Sequence, residues 1–247
     1  MSSTLSDGAD IIDLGAESAR TNRAAISETE EISRIMTVLE CWEDILEGIN
    51  PIDSEQVFPP ILSINTWRPA VITGVLNSPY GKYIGLINDM SALAYPETLE
   101  IMKGSPASLL IMHSVGLPKQ DHSHQRWENI SEELITFFSE KTAQASKAGL
   151  PTKRLVIDPG LDFAKTSEDS YQALRTIESL NQFGCPILVP LSRKQFIGDA
   201  IDEPDPSERD AGTVACLPAI LPLKAAIIRV HNVKANWQGL KTLMGCI

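Results

Sequence analysis

The 247-residue sequence contains neither a Gly-x-Gly-x-x-Gly nor a Gly-x-x-x-x-Gly-Lys-Ser/Thr segment. A nucleotide-binding open sheet therefore loses its best sequence support. There is no Cys-x-x-Cys pair, and the four cysteines (Cys41, Cys185, Cys216 and Cys246) are scattered. Such usage speaks against a disulfide framework or a thiolate zinc site, and for reduced thiols in a cytoplasmic protein. No apolar run approaches the about 18 residues of a membrane span, and no secretory leader pattern is present. Basic residues are in the minority, 21 Lys and Arg against 32 Asp and Glu, for a formal net charge of −11. That balance argues against broad binding to nucleic acid or to an anionic membrane, but not against a small anion in a local positive pocket. Gly/Ser linkers and low-complexity tracts are also missing, so a single domain over residues 1–247 is expected.

What is present is a series of short apolar runs that stop abruptly. In Arg154-Leu-Val-Ile-Asp158-Pro-Gly160 the apolar core is too short for a helix and suits a strand buried on both faces, with Pro159 and Gly160 ending it. Similar runs lie at 9–15, 61–67, 83–89, 108–113, 186–192 and 225–231. Helices are predicted between them: 28–47, opened by a Ser27-Glu-Thr-Glu30 capping box, one from Pro69, then 96–103, 127–148, 169–183, 207–217 and 236–246. Strand and helix alternating along the whole chain imply a parallel α/β sheet. A (β/α)8 TIM-type barrel fits, but only seven strands can be counted, and the expectation is a barrel lacking its first β/α unit. Unpaired sheet edges are costly unless covered.

Ligands of parallel α/β folds collect at the carboxyl ends of the strands. Those ends here carry Glu17, Asn65, Asn88 with Asp89, His113, Asp158, Ser192-Arg193-Lys194, and Arg229 with His231. Singly, each has a plainer explanation as a cap or a solvated side chain; it is the repetition from strand to strand that suggests a site. The two Asn and the Asp suit a flat heterocycle with amide and amidine edges, and a carboxylate accepts two parallel N–H bonds from such an edge. Arg193, Lys194, Arg229 and His231 suit a phosphate or pyrophosphate. A phosphorylated heterocycle is therefore the expected substrate. Asp121-His122-Ser123-His124 is read as a solvated polar loop rather than a metal site.

Seven blocks resemble the dihydropteroate synthases of folate biosynthesis, in that family's order. They are Ala9-Asp-Ile-Ile-Asp-Leu-Gly-Ala-Glu-Ser, Ser63-Ile-Asn-Thr-Trp-Arg-Pro, Leu86-Ile-Asn-Asp, Met112-His-Ser-Val-Gly-Leu-Pro, Ile157-Asp-Pro-Gly-Leu-Asp-Phe-Ala-Lys-Thr, Leu191-Ser-Arg-Lys-Gln-Phe-Ile-Gly and Arg229-Val-His-Asn-Val. The resemblance implies a cytoplasmic, often homodimeric barrel enzyme. Helped by Mg²⁺, such an enzyme joins 6-hydroxymethyl-dihydropterin pyrophosphate to p-aminobenzoate and releases pyrophosphate. By motif, Asn88, Asp158 and Lys194 would hydrogen-bond the pterin, with Met112 against the ring. Arg229 would lie near ring and phosphates, and His231 would hold the pyrophosphate. Ser192, Phe163 and Lys194 would border the p-aminobenzoate site. Lys194, Asp158 and Arg229 are the expected catalytic groups.

The chain also departs from the family. The opening strand and its Asn-x-Thr-x-Asp-Ser-Phe-Ser loop are not found, so no metal ligand can be assigned. Asn65 stands where the family has Asp, which removes a charge facing the pterin; an electrostatic role there would be worth about 2–4 kcal/mol in the transition state, and restoring Asp at 65 is expected to raise turnover. Ala19 replaces a Thr beside the retained Glu17, Ser18 and Arg20. Asp162 and Pro190 take positions that are usually Gly, and Asn232 takes that of an Asp. The alternative implied by these changes is a catalytically impaired pterin-binding homologue. A methyltetrahydrofolate methyltransferase is the weaker match, because Ser192-Arg193-Lys194 and Arg229-Val-His231 follow the synthases.

Overall fold

The computed structural model describes residues 2–18, 23–122 and 124–247, with the side chains of Ser2 and Ser3 outside the description. Seven strands form one parallel sheet in sequence order: β1 (Ile11–Gly15), β2 (Ile61–Asn65), β3 (Ile84–Asp89), β4 (Ser108–Met112), β5 (Leu155–Asp158), β6 (Ile187–Val189) and β7 (Ala226–Ile228). The sheet curls into a half-barrel. Ten α-helices accompany the strands among the described residues: α1 (Ser2–Ser6), α2 (Glu28–Glu40), α3 (Trp42–Leu46), α4 (Pro69–Leu76), α5 (Glu97–Lys103), α6 (Ile130–Lys147), α7 (Ser167–Arg175), α8 (Gln195–Ile201), α9 (Asp210–Ala215) and α10 (Val233–Gly245). No helix among them is long and apolar enough to cross a membrane.

The elements follow local chemistry. Ser27 caps α2 by accepting from the Glu30 amide, Asn129 caps α6 through the amides of Ser131 and Glu132, and Thr166 with Asp169 closes a capping box on α7. Pro69 opens α4, and Gly184 closes the turn before β6 with φ +65°. Four readings need correction. The helix predicted over 169–183 is α7 followed by a 3₁₀ stretch at Ile177–Phe183. The helix predicted over 28–47 is broken at Cys41 into α2 and α3. The helix predicted over 207–217 is a short α9 between two single 3₁₀ turns. β6 holds only three residues because Pro186 and Pro190 bracket it.

Side chains alternate across the sheet. On the outer face Ile12, Leu62, Ile64, Ile87, Leu109, Ile111, Leu155 and Ile157 join Trp42, Phe138 and Phe196 of the helices in the main core. On the inner face Leu86, Leu110, Met112, Val156 and Leu188 form a second, smaller cluster. The polar site residues occupy the inner-face positions nearest the carboxyl ends, so the inner cluster is their floor.

Among the described residues β1 and β7 do not pair with each other. Side chains link the two edges instead. Arg229, just past β7, donates to Asp13 of β1 at 2.9 Å, and Lys241 of α10 binds Asp53 at 3.1 Å in the segment leading to β2. Gln56 in that segment donates to the Ala9 carbonyl at 3.2 Å.

The outer core depends on Phe138, which is fully buried and in edge contact with Phe137 and Phe183 at centroid distances of 5.1 and 6.0 Å. Phe138→Ala is expected to cost about 3–5 kcal/mol, read as a lower guanidinium midpoint at unchanged slope. A loss under about 1 kcal/mol would contradict this packing.

Candidate functional site

In-register pairing sets strand ends side by side: Gly15 faces Asn65, Asn65 faces Asn88, and Met112 faces Asp158. Alternation then decides which of the end residues point into the mouth. Asn65, Asn88, Met112 and Asp158 lie on the inner face with Ser63, Leu86, Leu110 and Val156, two residues back. Asp89 and His113, one residue further along, turn toward the helices.

Asp158 is buried, with 4% of its surface exposed, and accepts from the Gly160 amide at 2.7 Å. Burial pushes its carboxyl up to about 6, against the opposing pull of the Gly160 amide and of nearby Lys194, Arg229 and Lys165. Lys194 donates to the Leu161 carbonyl at 2.7 Å, and its ammonium stands 4.8 Å over the Phe163 ring. Burial lowers its pKa. Ser192 and His231 are joined twice, Oγ to Nδ1 at 2.7 Å and the His231 amide to Oγ at 3.0 Å. Burial, then Arg193 and Arg229, lower the His231 pKa. A cavity of about 460 Å³ opens between the loops after β4 and β5; it shares Met112 and Phe163 with this set and adds Met90, Ser114 and Lys165 to its walls. Asn65, Asn88, Asp158 and Lys194 are not among its walls.

The structure thus brings together Asn65, Asn88, Met112, Asp158, Phe163, Ser192, Lys194, Arg229 and His231. Other residues read as strand-end groups do different work. Glu17 pairs with Arg68 at 2.7 Å and Lys119 at 2.8 Å, while Arg68 also holds buried Glu31 at 2.6 Å, so Glu17 latches the loops after β1, β2 and β4 together. Asp89 is fully buried and accepts from the amides of Ser91 and Leu93, closing the turn after β3. His113 is edge-on to Trp127 and Phe137, and burial plus the adjacent Lys165 push it down to about 2, so it supplies no cation. Arg193 is not aimed at a ligand but bound by Asp210 at 2.7 Å. Asp162 has φ +65°, the conformation that suits Gly, and its carboxylate accepts from the Gln195 amide that opens α8. Asn232 caps α10 and donates to Asp210. Trp67 is buried, with Arg68 over its ring at 5.5 Å. The solvated-loop reading of residues 121–124 fits exposed His124, but His122 is partly buried. Ala19, Arg20 and Ser123 lie outside the described residues.

Two residues were not singled out in the sequence. Asp13, in the middle of β1, accepts from Ser63 at 2.7 Å, Asn65 at 3.3 Å, Asn88 at 3.1 Å and Arg229 at 2.9 Å. A lone Asp inside an apolar strand was the signal for it. Lys165 donates to His113 Nδ1 at 2.7 Å and to the carbonyls of Gly160 and Phe163, which stiffens the loop that carries Asp158 and Phe163. Burial brings its pKa down to about 7.

Asp158 can accept two N–H bonds only while ionised. Affinity for a heterocycle with an amidine edge is therefore expected to be full above pH 7 and to fall as pH drops through about 6, read by calorimetric titration between pH 5 and 8; a flat profile would show that Asp158 does not hold the ring.

The family model for pterin binding enzymes matches residues 1–231. The dihydropteroate synthase of Escherichia coli (strain K12) is 32% identical over 236 residues, covering 96% of this chain and 78% of the relative. The structure of dihydropteroate synthase from Xanthomonas albilineans with 4-aminobenzoic acid superposes with a TM-score of 0.83 at 29% identity, over 99% of this chain and 81% of that one. The Thermus thermophilus enzyme in complex with 6HMPPP gives 0.81 at 28% identity, over 99% and 86%.

Proposed function

The chain belongs to the pterin binding enzymes, in the dihydropteroate synthase family, and on that premise we propose that it condenses 6-hydroxymethyl-dihydropterin pyrophosphate with p-aminobenzoate and releases pyrophosphate. The observation that carries the reading is the convergence of Asp158, Lys194 and Arg229 close enough to act on one another's charge, beside the amides of Asn65 and Asn88. An acidic acceptor for ring N–H groups and cations for a leaving anion meet at one mouth.

In this proposal Asn88, Asp158 and Lys194 hold the pterin over Met112, with Asn65 alongside. Arg229 spans ring and phosphates, and His231, fixed by Ser192, meets the pyrophosphate. The aniline nitrogen attacks the methylene carbon as the carbon–oxygen bond to pyrophosphate breaks, and the aniline then releases a proton. Its nitrogen is already nucleophilic, so Phe163, Ser192 and Lys194 serve chiefly to position it. Negative charge builds on the departing pyrophosphate, where Arg229 is aimed, and the pterin methylene gains positive character within reach of the carboxylates.

The finer architecture belongs to the same proposal. The seven strands take seven of the eight places of one (β/α)8 barrel domain, and the place of the family's first β/α unit falls between β7 and β1. So do a cytoplasmic location and a homodimer. Mg²⁺ enters the proposal as a companion of the substrate's pyrophosphate. Among the described residues no three His, Cys, Asp or Glu groups converge as a metal site, and Asp13 is already engaged by four neighbours. No step is routed through the metal.

Incubation with both substrates is expected to yield dihydropteroate and pyrophosphate in equal amounts, and Lys194→Met to lower kcat/KM by about a hundredfold. Tight pterin pyrophosphate binding without product would instead identify a pterin-binding homologue that does not turn over. Absence of binding would overturn the reading altogether.

A further inference from the structure

Asn65 and Asn88 each have an amide with one donating and one accepting end. Both turn the donating end to the same group: Asn65 Nδ2 lies 3.3 Å from Asp13 Oδ2, and Asn88 Nδ2 lies 3.3 and 3.1 Å from Oδ1 and Oδ2. Ser63 donates to Oδ1 at 2.7 Å, so the hydroxyl two residues before Asn65 pins the carboxylate. Arg229 reaches across from β7 to give Nε to Oδ2 at 2.9 Å, with the rest of its guanidinium half exposed at the mouth (48% of the side chain against 15% for Asp13). No described residue donates to the carbonyl oxygen of either amide.

From this geometry we propose that Asp13 is the positioning and specificity-determining residue of the ring-binding wall. A proposal about the pterin ring, it rests on the functional reading above. The carboxylate accepts only, so it forces both amides to present oxygen to the ligand. With Asp158 as a third acceptor, the wall takes N–H-bearing edges and rejects rings whose matching positions are lone pairs, because buried acceptors facing lone pairs stay unpaired. The same carboxylate anchors Arg229 by Nε, leaving its terminal nitrogens to face the phosphates.

The test is substitution of Asp13 and of its hydroxyl donor in the full chain, with melting curves on every variant, calorimetric titration of dihydropterin pyrophosphate and steady-state kinetics. Asp13→Asn is expected to weaken pterin pyrophosphate binding and lower kcat/KM by about tenfold or more, leaving KM for p-aminobenzoate within about twofold. Ser63→Ala, which frees the carboxylate from its hydroxyl donor, is expected to show a smaller loss in the same direction. Loss of a merely structural contact would instead lower the melting temperature or weaken both substrates alike. Unchanged pterin binding in Asp13→Asn, or an equal loss for p-aminobenzoate, would overturn the proposal. An unsubstituted chain that bound no pterin pyrophosphate would remove the functional reading and this proposal with it, and that result differs from both of the others.

Discussion

The structure depends on one constraint, the in-register parallel pairing of strands whose side chains alternate between two faces. Register lines up Gly15, Asn65 and Asn88, and separately Met112 and Asp158. Alternation then selects from every strand end one residue for the mouth and the next for the helix layer. Asn88 faces the mouth while Asp89 ties a turn, and Met112 faces it while His113 packs between aromatic rings. A one-residue slip in any strand would exchange these roles and put an apolar or structural side chain where a ligand group is needed.

On that frame the electrostatics divide into supported charges and charges kept for use. Glu17, Glu31, Arg68 and Lys119 neutralise one another under the loops, and Arg193 is spent on Asp210. Asp158 is buried and Lys194 partly buried, without a direct ion pair to each other; each is bonded instead to a loop backbone group, at the Gly160 amide and the Leu161 carbonyl. A charge desolvated in this way has most to gain from a complementary ligand. A ring that brings N–H groups to Asp158 and an anion to the cations would complete bonds the protein leaves open, and that is the physical content of the functional reading. Arg209 supports the cationic side from beneath. It is buried, and its guanidinium binds the carbonyls of Arg193 and Lys194 at 3.2 Å each and that of Glu203 at 2.8 Å, fixing the turn that projects Lys194.

Much of this was legible in the residues themselves. Runs such as Leu155-Val-Ile ended by Pro159 and Gly160 are unambiguous for buried strands, and the order of the strands follows from their alternation with helices. The set Asn65, Asn88, Asp158, Lys194, Arg229 and His231 is legible in the residues because each closes or shortly follows an apolar strand run. Side-chain parity was less accessible, since a continuous apolar run gives no period-two signal; for that reason Asp89 and His113 were counted with the site. Asp13 was missed because it lies two residues short of a strand end. The helix after Lys194 was missed too, since Gly198 in its middle weakens the pattern. A Cβ there would come within 2.3 Å of the Arg209 guanidinium carbon, a contact between residues far enough apart in the chain that no local pattern reports it. The break of the first long helix at Cys41 has no signal in the residues around it.

The central claim is that a pterin ring sits at the carboxyl ends of these strands, gripped on its N–H edge from the inner face. A crystal structure of the chain grown with dihydropterin pyrophosphate tests it most directly. The account predicts the ring over Met112, with N–H groups about 3 Å from the oxygens of Asp158 and of the Asn88 amide, and with the phosphates toward Arg229 and His231. A ring held only in the cavity between the β4 and β5 loops, out of reach of Asp158 and Asn88, would contradict it.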